Sequence, residues 1–157
     1  MADQRPPRLL GDERETLQAL LQYQRESLVR KVTGVDEAGA RRTPVPTGTT
    51  LLWLVRHLAR AETQWILVRF AGLAAELPDE TVHPEDTVAD AVAAYRRTWS
   101  TVDTVVAAAS LDAPCADVGA DPPVNLRWVL AHLLEETARH AGHADILREL
   151  IDGATGR

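Results

Sequence analysis

Periodicity is the strongest constraint on the fold, because four stretches of the chain repeat apolar residues at helical spacing and strand-like alternation is nowhere sustained. Each stretch is about 20 residues long and carries one apolar stripe, which must be buried against another element. A four-helix bundle is the simplest arrangement that buries all four stripes. We therefore predict an all-α fold, a four-helix bundle with long inter-helix loops.

Capping residues and glycines mark the ends of these helices. The predicted helices run from Asp12 to Gly34, from Thr49 or Thr50 to Gly72, from Thr87 through Val106, and from Asn125 to Gly153. The segments that join them, residues 34–49, 72–86 and 110–124, are longer than the tight turns of an idealised bundle. Such loops often carry binding sites.

Length and charge narrow the class of protein. A chain of 157 residues is long enough for one domain and too short for two ordinary ones, so residues 1–157 are predicted to form a single domain. The net charge of −6 leaves no basic face for nucleic acid. No apolar run approaches the roughly 20 residues that span a bilayer, and the start MADQRPPRLL has no apolar signal region. We expect a cytoplasmic protein with no membrane or nucleic-acid partner.

The single cysteine, Cys115, excludes an internal disulfide and any multi-cysteine metal site. It lies in the loop DAPCADVGADPP, where no neighbouring base is evident in the sequence. We expect a free thiol at the surface or half buried, without a nucleophilic role.

Two polar residues of the fourth helix fall on its core-facing stripe. A helix advances about 100° per residue, so with Glu136 at about 0° the apolar residues centre near 50° and His140 lies at about 40°. Both side chains are therefore predicted to point inward. A buried carboxylate is costly unless it is paired or bound to a metal ion. Because Glu136 and His140 are one turn apart, about 6 Å, they can converge on one ion.

The other histidines are less well placed. His143 and His132 fall farther from the core direction or from Glu136, so we expect them in the layer around the site or at its rim, together with Arg139. On the second helix, His57 borders the apolar face and could supply a third ligand. The only E-x-x-H of the chain ends at His83, which lies in a loop and is predicted to be a surface residue.

Structural explanations of the same residues remain open. Glu136 and His140 could simply form a hydrogen-bonded pair beside Arg139. Glu62, at the edge of the apolar arc, is expected to pair with an arginine that the sequence does not identify. Arg56 and Arg60 are interpreted as solvated surface positions.

Two segments resemble the DinB-like four-helix family, in particular its actinobacterial branch that includes mycothiol-dependent enzymes. These are LLWLVRHLARAETQW (residues 51–65) and NLRWVLAHLLEETARHAGHADILRELIDG (residues 125–153). The resemblance implies a divalent metal ion, most commonly zinc, at one end of the bundle, with ligands at His57, Glu136 and His140. Many relatives carry histidine where Glu136 stands, whereas the mycothiol-dependent isomerases are similar to this chain in having glutamate.

The resemblance further implies a metal-dependent S-transferase, or a related thiol-dependent enzyme, that uses a metal-bound thiolate as nucleophile. Its cosubstrate would be a mycothiol-type thiol and its second substrate an electrophilic small molecule, with no catalytic side chain beyond the metal site. Two alternatives stay open. One is a non-catalytic bundle, either metal-binding or metal-free, in which the polar cluster is structural. Bundles of this size often form homodimers, for which Trp53, Trp128 and Val106 are candidate contacts. The other is a non-haem iron enzyme, since two histidines and a carboxylate also bind iron.

Overall fold

The computed structural model describes residues 4–117 and 119–155. Within these ranges there are five α-helices and no strand, which confirms the all-α prediction. The helices are α1 (Glu13–Thr33), α2 (Glu37–Arg41), α3 (Leu51–Glu62), α4 (Val88–Ala108) and α5 (Leu126–Asp152). The chain continues from α3 without a break into a π-helical segment, Thr63–Phe70.

Side-chain caps fix the starts of the four long helices where the sequence predicts them. The Asp12 side chain accepts a hydrogen bond from the backbone N–H of Glu15 at 2.8 Å, and the Glu15 carboxylate accepts one from the backbone N–H of Asp12 at 3.0 Å, which completes a capping box. Thr50, rather than Thr49, caps α3. Gly153 ends α5 with a φ of 75°, a left-handed conformation that favours glycine.

The bundle packs mainly α1 against α5 and α3 against α4. Apolar side chains from all four long helices fill the space between them; those of Leu28, Leu54, Leu58 and Leu133 are completely buried. The structure also buries Val106, which is 1% exposed, so the expectation that it contributes to a dimer contact is wrong. Its side chain belongs to the core because α4 turns that face toward α5 and the π-helical segment.

The first predicted loop contains a short helix that the sequence pattern does not reveal. Asp36 caps α2 by accepting a hydrogen bond from the backbone N–H of Gly39 at 2.7 Å. Because α2 has only five residues, its length is too short for apolar periodicity to stand out.

The π-helical segment corrects the prediction of a regular second helix. It has wider turns, as in the hydrogen bond from Ala71 N–H to the carbonyl of Ile66 at 3.0 Å, five residues back. In a regular α-helix, Trp65 and Arg69 would lie about 80° and 120° from His57, within the core-facing arc. The wider turn keeps Trp65 and Arg69 half exposed.

A buried ion pair ties α1, α3 and α4 together where the π-helical segment begins. Glu62 is 0% exposed and accepts hydrogen bonds from Arg25 at 2.9 and 2.5 Å and from the Tyr95 hydroxyl at 3.0 Å. Burial raises the pKa of Glu62, and the Arg25 guanidinium opposes that rise. Arg25 also reaches the half-exposed Asp103 at 3.0 Å. Arg25 is therefore the arginine partner that the sequence leaves unidentified.

None of the helices in the described ranges has the length and apolar character needed to cross a membrane.

Candidate metal centre

The structure brings His57, Glu136 and His140 together between α3 and α5. The Nε2 atoms of His57 and His140 lie 3.4 and 3.0 Å from the same oxygen, Oε1 of Glu136. One ligand atom from each of the three residues lies within 4.8 Å of the other two. Glu136 and His140 come together because residues four apart in a regular α-helix lie on the same face.

The donor set and spacing of this trio fit a divalent metal ion. Two ligand atoms about 2.1 Å from an ion in tetrahedral geometry are about 3.4 Å apart. The two separations from Glu136 are close to that value, at 3.0 and 3.4 Å. A search of the described residues for three or more histidine, cysteine or acidic side chains with converging ligand atoms finds this trio.

Burial and neighbouring charge set the protonation of the two α5 residues. Burial lowers the pKa of His140 below its usual value, and the opposing effect of the Glu136 carboxylate is smaller. Burial acts to raise the pKa of Glu136, but the combined effect of His57, His140 and Arg139 outweighs it and lowers the pKa. A neutral imidazole and an ionised carboxylate are the forms that bind metal ions.

Glu80 is a partner of the trio that the sequence does not reveal. Its Oε2 lies 2.9 Å from Nδ1 of His57, on the opposite side of the ring from Glu136. A carboxylate accepts a hydrogen bond only from a protonated nitrogen, so this contact favours the tautomer with the proton at Nδ1, which leaves the Nε2 lone pair for a metal ion. This is the carboxylate–histidine arrangement that orients metal-binding imidazoles in proteins.

Arginines hold the loop that carries Glu80. Arg60 donates a hydrogen bond to the carbonyl of Pro78 at 3.0 Å, and Arg56 pairs with Asp86 at 2.9 Å. The interpretation of Arg56 and Arg60 as solvated is therefore wrong, since both anchor residues 78–86. A signal was present in the sequence: these arginines flank His57 on one helix, and the following loop is acidic.

Aromatic and basic side chains surround the trio. The Trp53 ring stacks on the His57 ring, with centroids 4.6 Å apart and planes 18° apart. His143 is exposed, and its Nδ1 lies 3.3 Å from Nδ1 of His140. Arg139 approaches the second oxygen of Glu136 at 3.6 Å. The structure thus places His143 and Arg139 next to the trio.

The remaining histidines lie elsewhere. The His132 ring is wedged between aromatic rings, 4.8 Å from Trp65 and 5.0 Å from Trp128. Among the described residues, no recorded contact joins His132 to the trio. The expectation that His132 lies at the rim of the metal site is therefore not met. His83 is a half-exposed loop residue paired with Asp79 at 2.9 Å, in agreement with the surface prediction.

An apolar groove of about 350 Å³ lies next to His143, the exposed neighbour of His140. It lies between α5 and the segment that precedes α3, and its lining residues are Val45, Thr47, Thr49, His143, Ile146 and Leu147. The groove has the size of a small-molecule site.

Cys115 is a free thiol of intermediate exposure, as expected from the sequence. Burial raises its pKa, although the nearby Arg69 acts against that rise. The thiol is therefore protonated near neutral pH and is a poor nucleophile.

Comparison with known proteins gives two findings. The family model described as mycothiol-S-transferase matches residues 16–153, which is most of the chain. The crystal structure of a conserved protein from Enterococcus faecalis is similar, with a TM-score of 0.67 and 19% identity over 92% of this chain and 99% of that chain. At that identity the likeness concerns the fold alone. None of the curated proteins compared with the chain matches it.

Proposed function

The chain belongs to the mycothiol S-transferase family, and we propose that it is a metal-dependent enzyme that transfers a mycothiol-type thiol to an electrophilic small molecule. The observation that carries the proposal is the convergence of two imidazole nitrogens on one oxygen of Glu136, with an open groove next to His143. Low-molecular-weight thiols are kept reduced in the cytoplasm, and we place the protein there.

We assign one divalent metal ion, most simply zinc, to His57, Glu136 and His140. Two histidines and one carboxylate are typical of catalytic zinc sites, which keep a position open, whereas structural sites are closed by four protein ligands. When bound, such an ion lowers the pKa of an incoming thiol and so favours the nucleophilic thiolate.

The residues around the trio have positioning roles in this proposal. Glu80 holds the proton of His57 at Nδ1, and Trp53 fixes the plane of the same ring by stacking. Arg139 lies 3.6 Å from the second oxygen of Glu136, and its charge adds to the larger effects of His57 and His140 that lower the pKa of that carboxyl. Rigid orientation of the donors in this way lowers the entropic cost of holding the reactants together.

The thiol first loses its S–H proton, and the reaction then forms one bond and breaks one at the electrophilic carbon. The thiolate sulfur attacks an electrophilic carbon, a C–S bond forms, and the leaving group departs with the bonding electron pair. The thiol proton goes to solvent. Val45, Ile146 and Leu147 give the groove next to His143 an apolar surface, so we assign the apolar part of the electrophile to it. No protein nucleophile is needed, which agrees with the protonated state of Cys115.

Loss of free thiol tests the proposal. Tag-free protein is loaded with zinc and incubated with mycothiol and a general electrophile such as monobromobimane, and the remaining thiol is titrated. We expect consumption above the uncatalysed rate, abolished by a chelator and by Glu136→Gln. The matched control is Glu135→Gln, because Glu135 is the adjacent carboxylate on α5 but is exposed and paired with Arg139; this variant should keep the activity.

Two results would contradict the proposal. One is a rate with zinc-loaded protein that equals the rate in buffer for every electrophile and thiol tried. The other is Glu136→Gln with the activity of the wild type. Oxygen uptake by the protein after anaerobic loading with Fe(II), in the absence of thiol consumption, would favour the iron enzyme instead.

A further inference from the structure

A second cavity, of about 300 Å³, lies between the π-helical segment, the loop before α5 and the first turn of α5. Most of its lining is apolar, and two carboxylates stand at its exposed edge. The lining residues that matter here are Trp65, Arg69, Cys115, Asp117, Asp121 and Trp128. Trp128 precedes Glu136 by eight positions, about 12 Å along α5, so this cavity is separate from the metal trio. We call it the tryptophan pocket.

Backbone hydrogen bonds hold the walls of the tryptophan pocket on two sides. The N–H of Asp117 donates to the carbonyl of Arg69 at 2.9 Å, which joins the loop before α5 to the end of the π-helical segment. The N–H of Cys115 donates to the carbonyl of Val124 at 2.9 Å, which joins the same loop to the chain that enters α5. The folded backbone therefore sets the shape of the pocket.

Two indole rings provide most of the apolar surface. Trp65 and Trp128 lie with ring centroids 5.4 Å apart and planes tilted by 53°. A regular α-helix would turn Trp65 toward the core, whereas the wider π-helical turn leaves it at the pocket. Trp128 is 44% exposed although it is large and apolar. Exposed apolar surface around a cavity is typical of a ligand-binding site.

The chain itself places a cation in the tryptophan pocket. The Arg69 guanidinium lies 4.6 Å from the centroid of the Trp65 ring, within the range of a cation–π contact, and 3.3 Å from a carboxylate oxygen of Asp121. An indole face and a carboxylate thus hold a positive group at one end of the pocket. In the part of the chain that the structure describes, no arginine or lysine lies over Trp128 or forms an ion pair with Asp117.

The side-chain charges at the pocket favour a positive ligand. Asp117 and Asp121 are two carboxylates, whereas Arg69 is a single guanidinium. Burial raises the pKa of Cys115, so its thiol adds no charge near neutral pH. An anion would therefore meet more negative than positive charge, and an uncharged ligand would leave that excess unmatched.

The start of α5 does not offset this preference. Free N–H groups at the start of a helix attract anions. Here the N–H groups of Leu126 and Arg127 already donate to carbonyls of the preceding loop at 3.0 and 2.9 Å. The N–H of Trp128 donates to the side chain of Asn125 at 3.0 Å. These donors are satisfied within the protein, so the helix start offers no anion site at the pocket.

We propose that the tryptophan pocket binds a small organic cation, an ammonium group carried by an aromatic ring or a short apolar chain. The apolar part packs against the indole rings, and the positive charge faces Trp128 and the carboxylates of Asp117 and Asp121. A volume of about 300 Å³ is at the lower end of the range for small-molecule sites, which suits a ligand with a single ring. This inference is independent of the proposed function, because neither the trio nor a thiol takes part.

Binding of benzyltrimethylammonium to the full chain tests the inference, with calorimetry for the affinity and NMR of the indole N–H signals for the location. We expect saturable binding that shifts the signals of Trp65 and Trp128 and leaves those of Trp53 and Trp99 in place. Benzyl alcohol has the ring without the charge, and phenylacetate has the opposite charge. Each should bind about tenfold more weakly than the cation. Glu136→Gln should bind the cation as the wild type does.

Three variants separate the contributions to binding. Trp128→Ala should weaken binding of the cation about tenfold, because an indole face is lost. Arg69→Met removes the resident guanidinium, so it should strengthen binding of the cation about threefold. Both side chains are partly exposed, so the variants should fold. Leu150→Ala removes another exposed side chain from α5 and is the matched control, which should bind as the wild type does.

Equal affinities for benzyltrimethylammonium and benzyl alcohol would overturn the inference, since the charge would then contribute nothing. Tighter binding of phenylacetate than of the cation, or weaker binding of the cation to Arg69→Met, would overturn the preference for positive charge. Absence of saturable binding to the wild type, or shifts confined to Trp53 and Trp99, would overturn the assignment of the pocket.

Discussion

Removal of the Glu80 carboxylate should weaken metal binding although Glu80 is outside the trio. Its hydrogen bond to Nδ1 of His57 is 2.9 Å long. A hydrogen bond to a charged group contributes about 1.5 to 3 kcal/mol. The Glu80 side chain is 39% exposed, so water replaces part of the interaction and the lower end of that range applies. We therefore expect Glu80→Ala to raise the Kd for zinc about tenfold, equivalent to about 1.4 kcal/mol.

Competition with a chromophoric zinc chelator at pH 7 measures this Kd. The matched control is Asp79→Ala, because Asp79 lies in the same loop and makes the same type of bond, 2.9 Å, to His83 rather than to the trio. Glu80→Gln should be intermediate, since its amide oxygen still accepts the hydrogen bond without a charge. A Kd for Glu80→Ala within twofold of the wild type would refute the reasoning, as would equal weakening by Asp79→Ala.

Three further predictions concern the fold and the site. Arg25→Met leaves the buried Glu62 carboxylate without its partner, so it should cost about 3 to 5 kcal/mol of unfolding free energy and lower Tm by about 10 °C. The control is Arg96→Met, because Arg96 forms an exposed ion pair with Glu26 at 3.3 Å, and this variant should change stability by no more than about 0.5 kcal/mol. A similar loss of stability in Arg25→Met and Arg96→Met would contradict the assignment of Arg25 as the partner of the buried Glu62. His132→Ala should keep the full metal content in elemental analysis, whereas loss of the ion would make it a ligand. Removal of metal by a chelator should lower Tm, by an amount equivalent to about 2.7 kcal/mol where free metal had been at 100 times its Kd; an unchanged Tm would mean that the folded state does not bind the ion.

The parts of the site on regular helices could be predicted from the sequence. The placement of Glu136 and His140 on the inner face of α5 follows from a step of about 100° per residue, and the position of His57 follows from the same arithmetic on α3. The caps at Asp12 and Asn125 were equally predictable, because they depend only on residues within one turn.

The parts set by long-range contacts could not be predicted. Glu80 reaches His57 because Arg56 and Arg60 hold the loop; the acidic composition of the loop suggests basic partners, but no local pattern specifies which of its carboxylates meets His57. The π-helical turn is similarly hidden, since its angle per residue differs from that of an α-helix by less than about 20°, which changes the apolar pattern of an eight-residue segment little. As a result, regular helical geometry would turn Trp65 toward the core, whereas the structure leaves it half exposed.

Metal content per chain tests the central claim most directly. Elemental analysis of tag-free wild type beside His57→Ala, Glu136→Ala and His140→Ala, with the exposed Glu135→Ala as control, compares the trio with its surroundings. The account predicts about one divalent ion per chain in the wild type and in Glu135→Ala, and its loss in each of the three trio variants. A wild type that binds no ion under metal-replete conditions, or trio variants that keep it, would contradict the account.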